Sequence, residues 1–144
     1  LNRGFDFGFT AGGEHEGVGV TGVYATEFTR EGIFNALRER RTFGTTGDRI
    51  IVDFRLDETP MGARLHTAAP TLKGYLSVLG TDVITAIRLL RNGRPVREWQ
   101  PEALNVTLNW EEACAADSRT YYYVVISQRN GEMAWSSPVF VYRA

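Results

Sequence analysis

The residues best suited to chemistry lie in a glycine-rich stretch, GGEHEGVG, at residues 12–19. Glu14, His15 and Glu16 are adjacent there. Carboxylate and imidazole groups both bind Zn, Mn or Fe, and a bound metal can activate water for attack on phosphorus. A lone histidine beside acids is more often a solvated loop residue, so spacing alone favours a solvated loop. Glu16 is a candidate ligand or base in the first interpretation and a solvated carboxylate in the second.

Basic and hydroxyl side chains make a second candidate site, which follows a predicted helix. Arg40 and Arg41 lie at the end of that helix and can hold a phosphate through their guanidinium groups. The structural interpretation is favoured, because cations stabilise the negative end of a helix dipole. Thr45 lies between Gly44 and Gly47, where backbone amides can contact an anion, although a turn between two domains is the simpler interpretation. Arg40, Arg41 and Thr45 are therefore possible anion contacts.

One strand and one helix are predicted in residues 1–47. Phenylalanines alternate with other residues over residues 5–9, which predicts a short strand. Thr29 is a suitable N-cap for the helix, and Gly44 is a suitable residue to end it. The helix is expected to bury one apolar stripe against a core. That stripe consists of Ile33, Phe34, Ala36 and Leu37.

A strand and a helix alone cannot bury a core, so this region must pack on something else. Phe28 and Ile33 have the spacing of a hydrophobic staple, which would fix the entry of the chain into the helix. Residues 1–47 therefore indicate one β–α unit from the end of a larger α/β domain. In such folds the active-site residues lie on loops after the strands. The segment that carries Glu14 and His15 is such a loop.

From residue 48 to residue 144 the hydrophobic pattern has a period of two. Alternation of this kind predicts strands, and Asn92-Gly93 and Asn130-Gly131 are strong turn signals. About seven short strands with turns between them are typical of an antiparallel β-sandwich, with an immunoglobulin-like arrangement. The predicted fold is therefore mainly β, with a β-sandwich at 48–144 preceded by the β–α unit. The predicted strands include residues 50–56, 72–78, 83–90, 104–110, 120–128, 133–135 and 139–142.

Aromatic residues are frequent in the predicted strands and allow a second kind of site. They could form a surface on which sugar rings stack. Strand aromatics more often fill the core on one face and pair across strands on the other, so the structural interpretation is favoured. The aromatic residues in question are Trp99, Trp110, Tyr121, Tyr122, Tyr123 and Trp135.

Composition excludes several classes of protein. The chain has 144 residues, of which 43% are hydrophobic and 23% charged, so a packed core is expected rather than disorder. The net charge of −1 gives no general attraction to nucleic acid or anionic membranes. No apolar run approaches the roughly 20 residues of a membrane span. Cys114 is the only cysteine, which excludes an internal disulfide and a cysteine cluster for zinc. Both cytoplasmic and exported locations stay open.

Two regions of the sequence, residues 21–50 and residues 121–142, resemble a known group of proteins. Residues 21–50, TGVYATEFTREGIFNALRERRTFGTTGDRI, are similar to a segment of bacterial proteins within the PHP (polymerase and histidinol phosphatase) superfamily. Those proteins are grouped as a domain of unknown function. The segments YYYVVISQRNGE, residues 121–132, and AWSSPVFVY, residues 134–142, look like the C-terminal strands of the same proteins.

The resemblance implies a fold, a chemistry and a partner. PHP domains are distorted β/α barrels that bind two or three metal ions through His, Asp and Glu, and they hydrolyse phosphoesters. Glu14 would stand where the family has Asp, and His15 would match the family histidine, so both would be metal ligands. A second histidine of some relatives would fall near Gly19, which cannot ligate. The other ligands would lie in the rest of the parent barrel, upstream of Leu1.

Two functional hypotheses follow for the intact protein. In the first, the chain is the C-terminal part of a metal-dependent phosphoesterase that uses Mn, Fe or Zn. The sandwich is then an accessory domain, and the fragment alone binds no cofactor and is inactive. In the second, the sandwich is a non-catalytic module that binds a glycan or a protein partner. If residues 1–47 are separated from their barrel, we expect the phenylalanines of residues 5–9 and the helix stripe to pack against the sandwich or against a second copy of the chain.

Overall fold

The computed structural model describes residues 1–13, 18–115 and 117–143. These ranges contain eleven strands and one helix. The helix, α1, spans Arg30–Arg38. The strands are β1 (Val20–Val23), β2 (Thr42–Thr45), β3 (Ile51–Leu56), β4 (Thr59–Pro60), β5 (Arg64–Thr67), β6 (Thr71–Arg91), β7 (Arg94–Trp99), β8 (Ala103–Ala113), β9 (Arg119–Gln128), β10 (Met133–Ser136) and β11 (Val139–Arg143).

The described strands form one curled, hydrogen-bonded sheet, so the predicted mainly β, antiparallel architecture is confirmed. The main path through the sheet runs β1-β2-β10-β9-β6-β3-β4. Strands β7 and β8 both pair with β6, and β11 pairs with β9. The pairing of β11 with β5 is parallel, in contrast to the other described pairs. Strand β2 pairs with β10, which places residues 42–45 in the same sheet as the C-terminal strands.

Strand β6 carries the sheet from one half of the fold to the other. Residues 71–79 pair with β8, and residues 84–91 pair with β9. We predicted two separate strands here, and the structure joins them with a shift in register between the two parts. At the shift, the side-chain oxygen of Gln128 accepts a hydrogen bond of 2.9 Å from the backbone N–H of Thr81. Gln128 is buried, so its carboxamide replaces ladder hydrogen bonds that the shift removes.

Alternate residues of the central strands form the hydrophobic core, as the period of two predicted. In β3 the three inward side chains are fully buried, whereas Ile51 on the other face is 45% exposed. In β9 a second set of alternate residues is also fully buried. The buried residues of these two strands are Val52, Phe54, Leu56, Tyr122, Val124 and Ile126.

Both predicted Asn-Gly turns are confirmed. Asn92 and Gly93 join β6 to β7 with φ angles of 52° and 78°, the left-handed conformations that a tight hairpin of this kind requires. Gly131, with φ of 88°, lies in the turn between β9 and β10. Asparagine and glycine adopt this conformation at low steric cost. The turn sequences therefore fix the register of two antiparallel pairs.

The helix begins where predicted and ends earlier than predicted. The hydroxyl oxygen of Thr29 accepts a hydrogen bond of 3.0 Å from the backbone N–H of Gly32, which confirms the N-cap. The chain then turns at Arg40, with φ of 61°, and not at Gly44, which lies in β2. The N–H of Arg40 bonds to the carbonyl of Leu37, and the next N–H bonds to the carbonyl of Ala36. This is the Schellman pattern with arginine where glycine is usual.

The predicted burial of the helix stripe is wrong for most of its residues. Ala36 is 2% exposed, whereas Phe34 is 57% exposed and Leu37 is 43% exposed. The predicted staple is also wrong, because Phe28 is 98% exposed and packs on nothing in the described structure. Helix α1 lies at the margin of the sheet beside β1, and only its Ala36 side faces inward. Its other apolar side chains therefore reach solvent.

Two glycines in the sheet lie beneath aromatic rings of the neighbouring strand. Gly74 in β6 is opposite Trp110 in β8, and Gly22 in β1 is opposite Phe43 in β2. A Cβ atom at Gly74 would lie 2.1 Å from Cε2 of Trp110. The indole also packs against Phe54, with ring centroids 6.4 Å apart. Glycine is therefore required at residue 74 so that Trp110 can close this end of the core.

We predict that Gly74→Ala lowers the free energy of unfolding by about 1–3 kcal/mol, because the new methyl group must displace the Trp110 indole from a packed core. Urea unfolding followed by tryptophan fluorescence measures this loss. Gly12→Ala is the matched control, since a Cβ atom at Gly12 has no atom within 4 Å. Equal stability of the two variants would contradict the proposed role of Gly74.

Candidate functional site

Side-chain hydroxyl groups anchor residues 8–13, which lead into the predicted metal-binding loop. The backbone N–H of Phe9 donates to Oγ of Ser137 at 2.8 Å, and its carbonyl accepts from Oγ1 of Thr42 at 2.7 Å. The two hydroxyls are also 3.0 Å apart, so they form one buried network. These hydroxyls give the N–H and the carbonyl of Phe9 the hydrogen-bond partners that a neighbouring strand would otherwise supply. The strand predicted at residues 5–9 is therefore wrong, and a hydroxyl-anchored segment takes its place.

The two ends of the loop are joined at its base. Oγ1 of Thr21 accepts from the backbone N–H of Ala11 at 2.9 Å and donates to the carbonyl of Ala11 at 2.7 Å. The backbones of Gly12 and Gly19 are in close contact, since a Cβ atom at Gly19 would lie 2.8 Å from the nitrogen of Gly12. Because β1 is paired with β2, this base is fixed to the sheet. Gly12 and Gly19, which flank the loop, are therefore held next to each other at the edge of the sheet.

The predicted metal ligands, Glu14 and His15, lie outside the described residues, as does Glu16. Within residues 1–13, 18–115 and 117–143, no group of three or more His, Cys, Asp or Glu side chains is placed to hold a metal ion. The one other histidine, His66, lies in β5 and stacks on Tyr142 with ring centroids 5.1 Å apart. The described part of the chain therefore supplies the base of the loop that carries the predicted ligands.

Arg40 and Arg41 line the same cavity, whereas Thr45 is not part of its lining. Nε of Arg40 donates to the carbonyl of Gly62 at 2.8 Å, and Arg41 pairs with Glu39. Thr45 lies in β2 with 1% of its surface exposed. A cavity of about 400 Å³ is lined by Glu39, Arg40, Arg41, Pro60, Ala63 and Arg64. The sequence analysis had not foreseen that Arg64 would join the two arginines there.

An aromatic cavity of about 540 Å³ lies beside the base of the loop. The ring of Phe9 meets that of Tyr123 edge to face, with centroids 5.2 Å apart. Trp135 and Tyr123 are both half-buried at this cavity. The wall opposite is the backbone of the anchored segment, which Gly44 in β2 allows to approach closely. Two of the aromatic residues considered for sugar stacking therefore lie together.

Asp6 is the most heavily hydrogen-bonded acidic residue near the anchored segment. Its Oδ1 accepts from a terminal guanidinium nitrogen of Arg119 at 2.7 Å, and its Oδ2 accepts from Nε of Arg64 at 2.6 Å. The hydroxyl of Tyr142 donates to Oδ2 at 3.0 Å. The carboxylate is 5% exposed, so these partners replace water around it. Asp6 thus ties the N-terminal segment to β5, β9 and β11.

The environment of Asp6 lowers its pKa. Burial alone would raise the pKa of this carboxyl group, because it disfavours the charged form. The hydrogen bonds from Arg119, Arg64 and Tyr142, with the positive charge of Arg119, outweigh burial and hold the pKa below its usual value of 3.8. The charged form is therefore the one that the folded protein stabilises.

Sequence reasoning missed the residues that hold this region in place. Asp6 lies between two phenylalanines, so the pattern places it on the solvent face of a predicted strand. Arg64 and Arg119 are distant in sequence, and no local signal joins them to Asp6. Thr21 and Ser137 likewise look like ordinary strand and loop residues. Only the register of the sheet brings these side chains together.

Comparisons with known proteins place the chain among uncharacterized bacterial sequences. Residues 8–71 match a family described as a protein of unknown function, DUF3604. An uncharacterized protein of Chlamydia muridarum is 32% identical over 98% of this chain and 28% of its own length. An uncharacterized protein of Chlamydia trachomatis is 30% identical over the same shares. Residues 8–71 are therefore similar to DUF3604, and the chain spans 28% of the length of these chlamydial proteins.

One solved structure is weakly similar to the fold. It is a crystal structure of an engineered protein, 20% identical, with a TM-score of 0.38 over 67% of this chain and 20% of that chain. This score is too low to inform fold or function. Separately, no helix in the described ranges is long and apolar enough to cross a membrane.

We predict that Thr21→Val opens the base of the loop, because both backbone groups of Ala11 lose their partner. A loss of about 1–2 kcal/mol in the free energy of unfolding is expected for two such hydrogen bonds. Hydrogen–deuterium exchange should show faster exchange at the Ala11 amide. Thr10→Val is the control, since the exposed Thr10 makes no side-chain hydrogen bond within the described structure. Unchanged exchange at Ala11 would rule out the clamp.

We predict that Asp6→Asn makes stability less sensitive to acid. Because the pKa of Asp6 is lower in the folded state than in the unfolded state, its charged form stabilises the fold at neutral pH. That contribution is complete above about pH 5 and is lost as the pH falls through the folded-state pKa.

Urea unfolding of both proteins from neutral to acidic pH measures this effect. The stability difference between wild type and Asp6→Asn should be largest at pH 7 and should shrink steadily below the ordinary pKa of aspartate. Asp117→Asn removes an exposed carboxylate and should cause no comparable loss at pH 7. A difference that stays constant with pH would show that the charge of Asp6 is not what stabilises this contact.

Proposed function

We propose that this chain is a β-rich supporting domain of a larger metal-dependent hydrolase that acts on phosphoesters. In this proposal the apolar surface of its N-terminal part docks on the catalytic barrel. The loop between Gly12 and Gly19 then supplies Glu14 and His15 to the metal centre. The chain alone has no activity, because the remaining ligands belong to the barrel.

The observation that carries this proposal is the uneven distribution of exposed apolar side chains. Among the described residues, eleven large hydrophobic side chains are exposed, and eight of them lie in residues 5–37. We call these eight residues the N-terminal apolar surface. They are Phe5, Phe7, Val18, Val20, Tyr24, Phe28, Phe34 and Leu37. A contiguous patch of exposed apolar residues marks a protein interaction site, and we propose that these eight residues contribute to one.

The helix gives the clearest sign that a partner is needed. Helix α1 has nine residues, and an isolated helix of that length is unstable in water. In the described structure it contributes one buried side chain, Ala36, to the sheet. Phe28 and Phe34 project from the same region with 98% and 57% of their surfaces exposed. Packing of these rings on a neighbouring domain would stabilise a helix that the sheet supports weakly.

The occupant that we propose is the rest of the same protein. The chlamydial homologues match 98% of this chain with only 28% of their own length, so their remaining sequence can form a further domain. The resemblance to PHP-superfamily proteins implies that this domain is a metal-binding barrel. The phenylalanines of residues 5–9 were expected to pack against the sandwich or against a second copy of the chain. Phe9 meets Tyr123 in β9, whereas Phe5 and Phe7 are exposed in the single chain, and packing against a second copy stays a prediction.

The chemistry of the loop fits part of a metal shell. Glu14 and His15 offer the oxygen and nitrogen donors that Mn, Fe and Zn accept. They would hold a divalent cation, which would supply Lewis-acid stabilisation of the charge on a phosphoryl group. The residues of this chain would hold the loop in position through Thr21 and Ala11, whose hydrogen bonds close its base.

A second candidate function is glycan binding by the aromatic cavity. Tyr123 and Trp135 line it together, and sugar rings stack on such faces. Titration of the chain with oligosaccharides, followed by tryptophan fluorescence, tests this candidate. Trp135→Ala should abolish any saturable change, and Trp99→Ala, which is outside the cavity, should preserve it.

We predict that the full-length product of the encoding gene contains a tightly bound divalent metal and hydrolyses a generic phosphoester, and that the double variant Glu14→Gln/His15→Ala loses both. Elemental mass spectrometry and release of 4-nitrophenol from its phosphate esters measure the two properties. Glu27→Gln removes an exposed glutamate outside the loop and should change neither. A full-length protein without metal, or a double variant with wild-type metal content, would contradict the proposal.

We also predict that the double variant Phe28→Ser/Phe34→Ser separates the two domains of the full-length protein. Wild type should unfold in one calorimetric transition, because the domains stabilise each other across the N-terminal apolar surface. The variant should show two transitions and faster proteolysis between the domains. Leu104→Ser alters an exposed leucine in β8 and should leave one transition. One transition in all three proteins would exclude this surface as the docking site.

A further inference from the structure

A basic cavity lies at the β6–β7 hairpin, away from the anchored loop. Its volume is about 640 Å³, within the range of small-molecule sites. Arg91 and Arg94 lie at the two ends of the hairpin turn, and Arg119 comes from β9. Tyr121 and Val96 give the cavity an apolar side.

The turn that carries the two arginines is held rigidly. The backbone N–H of Asn92 donates to the carbonyl of Tyr121 at 3.0 Å. In return, the side-chain oxygen of Asn92 accepts from the N–H of Tyr121 at 3.1 Å. These two bonds fix the turn to β9, so the backbone positions of Arg91 and Arg94 are set before any ligand arrives. Such preorganisation lowers the entropic cost of binding.

Arg91 and Arg94 are direct cross-strand partners, which is unfavourable for the protein alone. Residues paired in this way have Cβ atoms about 4.5–5.5 Å apart, and like charges there repel. Arg91 lies 3.8 Å from Glu112, a carboxylate that it shares with Arg97 at 3.4 Å. Arg94 has no acidic side chain within ion-pair distance in the described part of the chain. The positive charge at the turn is therefore poorly balanced.

Arg119 adds to the positive field but has little donor capacity left. Its guanidinium group already donates to Asp6 at 2.7 Å and to the carbonyl of Phe5 at 3.1 Å. It also lies over the ring of Tyr121, 5.9 Å from the centroid. The groups left to contact a ligand directly are the guanidinium of Arg94 and the donors of Arg91 that Glu112 does not engage.

We infer that this hairpin cavity binds a phosphate group, either as a small organic monoester or as the free anion. Each guanidinium group can bind phosphate oxygens through its planar fork of N–H donors, and this turn supplies two such groups to one cavity. A dianion between Arg91 and Arg94 would convert their repulsion into two attractions. This inference is independent of the function proposed above, since it uses no residue of the loop or of the N-terminal apolar surface.

Calorimetric titration of the chain with inorganic phosphate and with phenyl phosphate tests the inference. We expect saturable binding of at least one of them, weakened about tenfold or more in Arg94→Gln because a charge-assisted hydrogen bond is lost. Arg88→Gln removes an exposed arginine from the same strand, outside the cavity, and should bind as wild type does. Tighter binding of phenyl phosphate would identify an organic ester, and equal affinities would identify the free anion.

The unfolding temperature of the ligand-free proteins gives a second readout. At low salt, Arg94→Gln should be at least as stable as wild type, because the repulsion with Arg91 is removed. Phosphate should then raise the unfolding temperature of wild type more than that of the variant. Absence of binding to wild type, or equal binding by wild type, Arg94→Gln and Arg88→Gln, would overturn the inference. Arg94→Lys should bind weakly, since it keeps the charge without the planar fork.

Discussion

The continuity of β6 is the constraint on which the rest of the fold depends. This strand of 21 residues pairs with β3 and β8 along its first part and with β7 and β9 along its second part. A strand that serves both halves must change register where the partners change, and its backbone groups would otherwise lose their hydrogen bonds there. Gln128 supplies the replacement from within the sheet, and its amide also donates to Thr81 at 2.9 Å. One buried side chain therefore lets a single strand join the two halves.

Once β9 is committed to β6, β10 and β11, the segment at residues 5–13 has no edge of these central strands to join. Its backbone polar groups still need partners, because it lies against β2 and β9 without forming a strand of its own. Hydroxyl groups of Thr21, Thr42 and Ser137 supply them, and Asp6 adds a charged contact to β9 and β11. These side-chain hydrogen bonds satisfy the backbone of the segment without burying the rings of Phe5 and Phe7. The exposure of Phe5 and Phe7 follows from that mode of attachment.

How far the sequence predicts this structure depends on how local each signal is. The N-cap at Thr29 and the turn at Asn92-Gly93 act over a few residues, and both were visible in the sequence. The parallel pairing of β5 with β11 joins residues 76 positions apart, such as Arg64 and Phe140, and no pattern in either strand predicts it. Periodicity shows which face of α1 is apolar but not whether anything covers it, so the helix stripe was placed in a core. The candidate site shows the same division, because Glu14 and His15 are adjacent in sequence whereas Asp6, Arg64 and Arg119 meet only through the sheet.

The charges of the chain nearly cancel overall, but two sites in the fold differ in how far their charges are balanced by neighbouring groups. At Asp6, one carboxylate meets two guanidinium groups and a tyrosine hydroxyl, so the negative charge is fully compensated. At the β6–β7 hairpin, Arg91 and Arg94 face each other and share little negative charge. The Asn92-Gly93 turn forms the hairpin without them, since its backbone geometry depends on Asn92 and Gly93. Two facing arginines therefore add repulsion that the fold does not need, and an anion bound between them would remove it.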